Sequence, residues 1–398
     1  MLKSLQSYPR QFRLMFFGML ISTVGSSMIW PFLMIYVKER LDLPLSTVTG
    51  LTSINAATGL LAAFLAGPIT DRFGRKWVMV FALFANGLVY VFQSQADSLS
   101  AFAVLMAISG IFNPLYRVAS DAMLADLIPA DQRPEAYALL RMSNNTGIAV
   151  GPALGGFIAT ISYTVAFYIA AAGLIAYGLL MFAFAVETLP QRSSVSPSGA
   201  QMLKGYLYIL KDSHFTLFAL SFVLTQMCAT LMWVLLPVFA KTEYKIPENV
   251  YGWIPTTNAL MVVFLQIYVT MFTRKRKPLP MMALGTFFYA IGVGSIALGH
   301  GFGGFWVSMV VMTIGELIAM PTASTYVAAL APAEMRGRYM SVFSLTWNVA
   351  YGLAPRIGGN LYDYVSPQAP WIAGLFIGLI SVLAYLMLSR KWSRIKAS

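Results

Sequence analysis

One carboxylate interrupts the apolar run between residues 304 and 330. Glu316 lies near the middle of this run, and a charged group there is costly unless it is paired or can take up a proton. A carboxylate in that position suits the carrying of protons, and the alternative is a structural hydrogen bond to a neighbouring helix. The internal repeat described below matches Glu316 with Asn113, at the same depth of its own apolar run.

A second group of polar residues shares the apolar run that contains Asn113. Arg117 and Asp121 are four residues apart, so on a helix they lie on one face with Asn113. We expect Arg117 and Asp121 to form a mutually neutralising pair. A functional alternative is that protonation of Asp121 releases Arg117.

Further polar and aromatic residues inside the apolar runs are candidates for lining a substrate cavity. Arg356 lies toward the end of its run, where a long side chain can reach the interface. If the substrate were an anionic metabolite or lipid-like compound, Arg117 or Arg356 would bind it. The other candidates are Asn144, Asn145, Trp347 and Asn348.

The composition excludes a soluble protein. Of 398 residues 58% are hydrophobic and only 11% are charged, and the mean hydropathy is +0.70, which is too little charge to cover a soluble surface. The net charge of +12 therefore indicates contact with anionic lipid headgroups rather than with nucleic acid. Cys228 is the one cysteine, and no nucleophile motif or paired carboxylates indicate an enzyme. We expect no metal and no cofactor.

Twelve apolar runs are long enough to cross a bilayer, at roughly 20 residues each. They are 13–37, 48–70, 77–95, 99–122, 138–161, 163–187, 214–240, 251–273, 281–298, 304–330, 338–362 and 370–388. Of the 27 lysines and arginines, 21 fall on the side that holds both termini and four on the other. This bias predicts a multi-pass protein of the cytoplasmic membrane with both termini in the cytoplasm.

An internal repeat relates the two halves of the chain. Residues 128–156 align without a gap to residues 331–359, at an offset of 203. Identical pairs are Pro129/Pro332, Ala130/Ala333, Arg133/Arg336, Asn145/Asn348, Pro152/Pro355, Gly155/Gly358 and Gly156/Gly359. The sequence therefore predicts an all-α membrane protein of two six-helix bundles related by pseudo-twofold symmetry. Residues 1–188 and 213–398 form the bundles, and the Ser- and Gly-containing stretch 189–212 is a cytoplasmic linker.

Two motifs carry a resemblance to a known family. Residues 67–76 read GPITDRFGRK, and twelve spans, the duplication and this loop resemble the major facilitator superfamily. The family motif there is G-x-L-x-D-R-x-G-R-K, with Ile69 here in place of leucine. We expect residues 67–76 to form a tight polar loop between two membrane helices, in which the glycines permit close backbone approach and a sharp reversal. Residues 147–156 read GIAVGPALGG and resemble the family's antiporter motif, G-x-x-x-G-P-x-x-G-G. The first motif implies the fold, and the second is typical of the twelve-helix drug:proton antiporter branch.

The resemblance implies a proton-coupled secondary transporter that exports hydrophobic or amphipathic drug-like compounds by alternating access. Its partners would be a small-molecule substrate, protons and the lipid bilayer, and it would act as a monomer. The implied conformational latch consists of Gly67, Asp71, Arg72, Gly74, Arg75 and Lys76, with Asp126 as the partner of Arg75. Ordinary positive charge on the cytoplasmic side is the alternative.

In the antiporter-type motif, small residues at a spacing of four allow helices to touch, and the proline bends its helix. The residues concerned are Gly147, Gly151, Pro152, Gly155 and Gly156, and we expect them to shape the outer gate. Two departures from the branch stand out. Met106 and Ser109 precede Gly110 where arginine and glutamine are usual, and residues 273–278, TRKRKP, keep the basic charge of the latch loop without its glycines or acid.

Overall fold

The computed structural model describes residues 7–189, 209, 211–332 and 335–395. Over these residues the chain is helical and has no strand, as the sequence predicts. Most of the predicted linker, 189–212, lies outside the described residues.

Twelve long helices follow one another along the chain. The first six are α1 (Arg10–Leu41, with a 3-10 turn at Trp30–Phe32), α2 (Leu45–Phe73), α3 (Arg75–Gln95), α4 (Leu99–Leu127), α5 (Arg133–Ile161) and α6 (Tyr163–Phe184). The others are α7 (Ser213–Tyr244), α8 (Glu248–Thr273, with a turn at Gly252), α9 (Pro278–Ala297), α10 (Gly301–Leu330), α11 (Arg336–Tyr364) and α12 (Ala369–Ile395). The prediction of twelve long helices is confirmed.

Ten of these helices are long and apolar enough to cross a membrane. The exceptions are α5 and α11, which have 29 residues each and are therefore long enough. They are also the two helices that contain most of the internal repeat. Their asparagines and arginines lower their hydropathy, so these two helices carry polar side chains in both halves of the duplication.

Unit 1 contains residues 1–192 together with residues 245–259, the first turns of α8. Within it, α1 packs on α5 and α6, α3 packs on α4 and α6, and α2 packs on α4. A buried apolar core joins the helices near Phe12 of α1, Met79 of α3 and Met123 of α4. Asn55 of α2 donates its side-chain amide to the carbonyl of Met106 over 2.9 Å, which fastens α2 to α4.

Unit 2 contains residues 193–244 and 260–398. Four of the helix contacts of unit 1 recur here, with α7 on α11 and α12 and α9 on α10 and α12. A buried hydroxyl network joins three of these helices. Thr225 Oγ1 of α7 lies 3.0 Å from Thr286 Oγ1 of α9 and 2.9 Å from Ser381 Oγ of α12. These hydroxyl groups satisfy one another in a region from which lipid excludes water.

Candidate functional site

A single residue, Gly74, separates α2 from α3. Its φ of +93° belongs to the region that side chains avoid, and a Cβ there would lie 2.2 Å from Glu187 Oε2. The prediction that residues 67–76 form a loop was wrong, because α2 continues to Phe73 and α3 begins at Arg75. A helix satisfies its own backbone, so it can extend past the apolar stretch at no cost in hydrogen bonds.

Arg75 lies at the centre of a polar cluster at this turn. Its Nε is 3.0 Å from Asp126 Oδ2 at the end of α4, and its Nη1 is 3.1 Å from Asp71 Oδ1 in the last turn of α2. The same Nη1 donates to the carbonyl of Thr70 over 3.3 Å. The side chain is 11% exposed. One guanidinium thus joins the ends of α2, α3 and α4.

Glu187, just beyond α6, completes this cluster. Its carboxylate accepts hydrogen bonds from the backbone N–H groups of Arg75 at 2.9 Å and Lys76 at 3.2 Å, the first two residues of α3. The free N–H groups at the start of a helix attract anions, so Glu187 caps α3. Its neighbour Thr188 donates to Asp126 Oδ2 over 3.1 Å. No local pattern in the sequence marks this contact, because Glu187 and Arg75 are 112 residues apart.

The remaining latch residues differ in their surroundings. Gly67 lies inside α2, and a Cβ there would meet no atom within 4 Å, so its close approach to another backbone, expected from the sequence, is absent. Arg72 lies over the ring of Phe73, with Cζ 5.6 Å from the centroid. Lys76 Nζ lies 5.2 Å from the Trp77 centroid and 5.8 Å from that of Phe182.

The antiporter-type motif forms a contact surface on α5. A Cβ at Gly147 would lie 2.7 Å from Thr23 Cβ of α1, one at Gly151 2.8 Å from the Val24 carbonyl oxygen, and one at Gly155 2.2 Å from the Met28 carbonyl oxygen. Only glycine leaves room for these approaches. Three turns of α5 therefore lie directly against the backbone of α1.

The end of this motif contacts the start of α8 instead. A Cβ at Gly156 would lie 2.3 Å from the carbonyl oxygen of Glu248, and one at Gly252 2.5 Å from that of Pro152. Glu248 is 5% exposed and accepts a hydrogen bond from the hydroxyl of Tyr163 at the start of α6. Sequence reasoning missed Glu248 and Tyr163, which are 85 residues apart.

The polar residues of α4 share one exposed face. Asn113 donates to Ser109 Oγ over 3.2 Å, and Arg117 and Asp121 are both exposed. Arg117 affects Asp121 electrostatically, yet no ion pair joins them among the described residues. The mutual neutralisation of the two groups therefore stays a prediction, because they influence one another without a direct ion pair.

Glu316 lies half-buried near the middle of α10 in unit 2. It interacts electrostatically with Tyr289 of α9, which is fully buried. The side-chain amide of Gln266 in α8 donates over 3.1 Å to the carbonyl of Leu317, the residue after Glu316. Three helices of unit 2 therefore meet around this carboxylate.

The remaining cavity candidates fall in both units. In unit 1, Asn144 Oδ1 accepts a hydrogen bond from Thr23 over 3.2 Å, and Asn145 is half-buried. In unit 2, Trp347 is 49% exposed with its ring 6.0 Å from that of Phe222. There Asn348 is half-buried and Arg356 is exposed. No group of His, Cys, Asp or Glu in the described part of the chain could hold a metal ion.

Sequence comparison identifies the family of this helical architecture. Residues 15–241 and 218–398 match the Major Facilitator Superfamily. The chain belongs to this superfamily. Its members are transporters, so the protein is a multi-pass membrane transporter of small molecules and not an enzyme.

Two curated relatives and one solved structure illustrate the range of the superfamily. A Na(+), Li(+), K(+)/H(+) antiporter of Planococcus maritimus is 26% identical, over 88% of this chain and 89% of the relative. Multidrug resistance protein MdtH of Escherichia coli (strain K12 / DH10B) is 24% identical, over 83% and 82%. A POT family transporter crystallised with 5-aminolevulinic acid superposes with a TM-score of 0.83 at 15% identity, over 97% and 99%. That structure confirms the predicted fold.

The packing of α5 against α1 yields a stability prediction. Gly155→Ala places a methyl group against the backbone of Met28 and should cost about 1–3 kcal/mol. Gly67→Ala is the matched control, since it makes the same change in open space and should leave the melting temperature equal or higher. Melting can be followed with a thiol-reactive dye, because Cys228 is the one cysteine and is buried. Equal melting of the two variants would contradict the tight contact.

The capping of α3 by Glu187 yields a second prediction. Glu187→Ala removes the acceptor at the helix start and should lower stability by about 1 kcal/mol. Glu187→Gln keeps an acceptor without the charge, and its stability should lie between the stabilities of Glu187→Ala and the wild type. The control Asp131→Asn changes an exposed acid in the turn between α4 and α5 and should melt with the wild type. If Glu187→Ala melts at the same temperature as the wild type, the cap contributes nothing to stability.

Proposed function

We propose that the protein exchanges protons for hydrophobic or amphipathic compounds across the cytoplasmic membrane. The observation that carries this proposal is Glu316. Of the acids that the structure describes, it lies farthest from a helix end, at about the centre of the 30-residue α10. A carboxylate at that depth is retained where a membrane protein handles charge or protons.

The surroundings of Glu316 support a proton-binding role. The α9 and α10 backbones approach closely, with a Cβ at Gly315 lying 2.5 Å from the carbonyl oxygen of Gly285. This contact holds the turn that carries Glu316 in a fixed position. Gln226 and Thr313, both buried, add polar groups to α7 and α10 near this level. Polar groups beside a carboxylate at this depth are typical of proton pathways in membrane proteins.

The relatives support the same proposal in two respects. One is named as a cation/proton antiporter and another as a multidrug resistance protein, each over more than four fifths of this chain. A cation/proton antiporter and a multidrug resistance protein are therefore both found among proteins of similar sequence. With both termini in the cytoplasm, as the basic residues predict, the Arg75 cluster would lie on the cytoplasmic side and act as the latch.

The contacts of Arg75 explain how a latch could work. The guanidinium holds Asp126 and Asp71, and Glu187 holds the start of α3, so the ends of four helices are fixed together. A conformational change that moves α2 or α4 would have to break charge-assisted hydrogen bonds. The antiporter-type motif would act at the opposite end, where the last glycine of α5 lies against the start of α8. Both assignments are parts of the proposal.

The variant Glu316→Gln tests whether this residue couples proton movement to transport of the compound. In proteoliposomes with an imposed pH gradient, we expect accumulation of hydrophobic dyes to fall to about a tenth or less, equivalent to about 1.4 kcal/mol of lost driving force. Exchange of dye without a gradient should persist, because the amide mimics a protonated carboxyl group. Asp97→Asn, in the exposed turn before α4, is the control. Unchanged pH dependence in Glu316→Gln and in Asp121→Asn would rule out both residues as the coupling group.

A second candidate function rests on Arg117. This arginine is exposed on α4 and has no ion-pair partner among the described residues, so it could bind the negative group of an anionic metabolite or lipid-like compound. A guanidinium presents paired donors that suit carboxylates and phosphates.

The charge of the substrate separates these two functions. If anions are carried, Arg117→Gln should raise KM for an organic anion about tenfold, as loss of one charge-assisted bond of roughly 1.5 kcal/mol implies, and Arg117→Lys should recover part of it. Arg40→Gln, exposed at the end of α1, serves as control. Transport of neutral or cationic dyes with no anion uptake would leave the first function standing and reject the second.

A further inference from the structure

An apolar groove opens on the side of unit 1 formed by α2, α3 and α4. Its cavity volume is about 370 Å³, at the lower end of the range of ligand pockets. We call it the α2–α4 groove. Its lining residues are all apolar, namely Ile69, Phe73, Trp77, Val78, Phe81, Phe112 and Leu115. Such a lining fits a hydrocarbon chain, and among these side chains only the indole N–H of Trp77 is a hydrogen-bond donor.

The groove lies away from the polar face of α4. At 100° per residue, Phe112 and Leu115 point about 140–160° away from Arg117 around the helix axis. On the other walls, Phe73 and Phe81 are 61% and 64% exposed. Large apolar side chains that remain this exposed in a membrane transporter lie against the acyl chains of the bilayer.

Two basic residues lie at the end of the groove where α2 meets α3. Arg72 precedes Phe73 and Lys76 precedes Trp77, and each cation lies over the aromatic ring that follows it. The acids nearby are already engaged. Asp71 and Asp126 hold Arg75, and Glu187 accepts backbone N–H groups at the start of α3. Among the described residues, neither Arg72 nor Lys76 forms an ion pair.

We propose that the α2–α4 groove binds one anionic phospholipid from the leaflet at this end of the helices. An acyl chain fills the groove, and the phosphate group lies between Arg72 and Lys76. Basic residues near a membrane surface attract anionic headgroups, and the aromatic rings hold both cations at the level of the interface. Charge and lining together select this occupant, since the groove is apolar throughout and its mouth is basic. The inference does not depend on which compound the protein transports.

Native mass spectrometry of the full-length protein in detergent tests the headgroup. With dioleoyl phosphatidylglycerol and dioleoyl phosphatidylcholine as probes, the wild type should retain the anionic lipid in preference. Arg72→Gln with Lys76→Gln should weaken phosphatidylglycerol binding about 30-fold, at about 1 kcal/mol for each basic residue, and leave phosphatidylcholine unchanged.

A matched control comes from the loop after α8. Lys275→Gln with Arg276→Gln removes two exposed positive charges, and Arg276, like Arg72, lies over an aromatic ring, 3.6 Å from the Phe272 centroid. This pair should retain wild-type lipid binding. If both double variants lose phosphatidylglycerol equally, the basic residues act as a general surface charge and the proposed site is wrong.

The groove itself is tested separately. Ile69→Trp fills part of the cavity without altering charge and should reduce the binding of dioleoyl phosphatidylglycerol. The melting temperature, read at Cys228, establishes that each variant is folded. In wild-type protein, phosphatidylglycerol with a photoactivatable acyl chain should crosslink to residues 69–81 or 112–115. Crosslinking elsewhere would overturn the assignment and make the groove an empty surface. Displacement of the lipid by a transported hydrophobic dye would also overturn it and make the groove a substrate entry site.

Discussion

Close contact between helix backbones is the interaction on which both units depend. Helices gain little from the hydrophobic effect against one another in lipid, so their association relies on packing and hydrogen bonds. In unit 1, a Cβ at Gly110 of α4 would lie 2.4 Å from the carbonyl oxygen of Asn55 in α2. In unit 2, one at Gly292 of α9 would lie 2.6 Å from the backbone nitrogen of Met312 in α10. Glycine at such positions brings the helices close enough for polar side chains to reach a neighbouring backbone.

The same lipid surroundings, in which polar groups need a partner, also explain where the charged residues lie. Glu187 and Asp126 are at helix ends, where free N–H groups or an arginine compensate their charge. Glu248 is likewise in the first turn of α8, with the hydroxyl of Tyr163 as a donor. Glu316 differs, because it is about 15 residues from either end of α10 and cannot reach a helix terminus. Its position is costly for structure alone, and this is why we assign it a function.

The fold could be predicted from the sequence because its signals are local or periodic. The length of the apolar spans, the excess of basic residues on one side and the repeat at an offset of 203 can each be recognised in the sequence without knowledge of any contact. The surroundings of Glu187 and Tyr163 could not be predicted, because their partners are 112 and 85 residues away and no local pattern marks them. Gly67 was misinterpreted for a related reason. A glycine in contact with a neighbouring helix and one in open space look the same in a single sequence.

The duplication has kept most of its helix contacts while its chemistry has changed. The side-chain amide of Gln11 donates to Met123 Sδ over 3.3 Å, and at the equivalent positions of the second half His214 bonds to the hydroxyl of Tyr326. The two contacts join equivalent pairs of helices in the two units. The contact in unit 1 contains no titratable group, whereas the contact in unit 2 contains two. Asn113 and Glu316 show the same change at mid-helix. At these positions the second half carries titratable side chains that the first half lacks. Elsewhere the reverse holds, because Arg117 and Asp121 correspond to Met320 and Ser324, and the acid and glycines of residues 67–76 have no counterpart in residues 273–278. Packing is thus common to both units, and the motif that identifies the family lies in a different unit from the residue to which we assign proton binding.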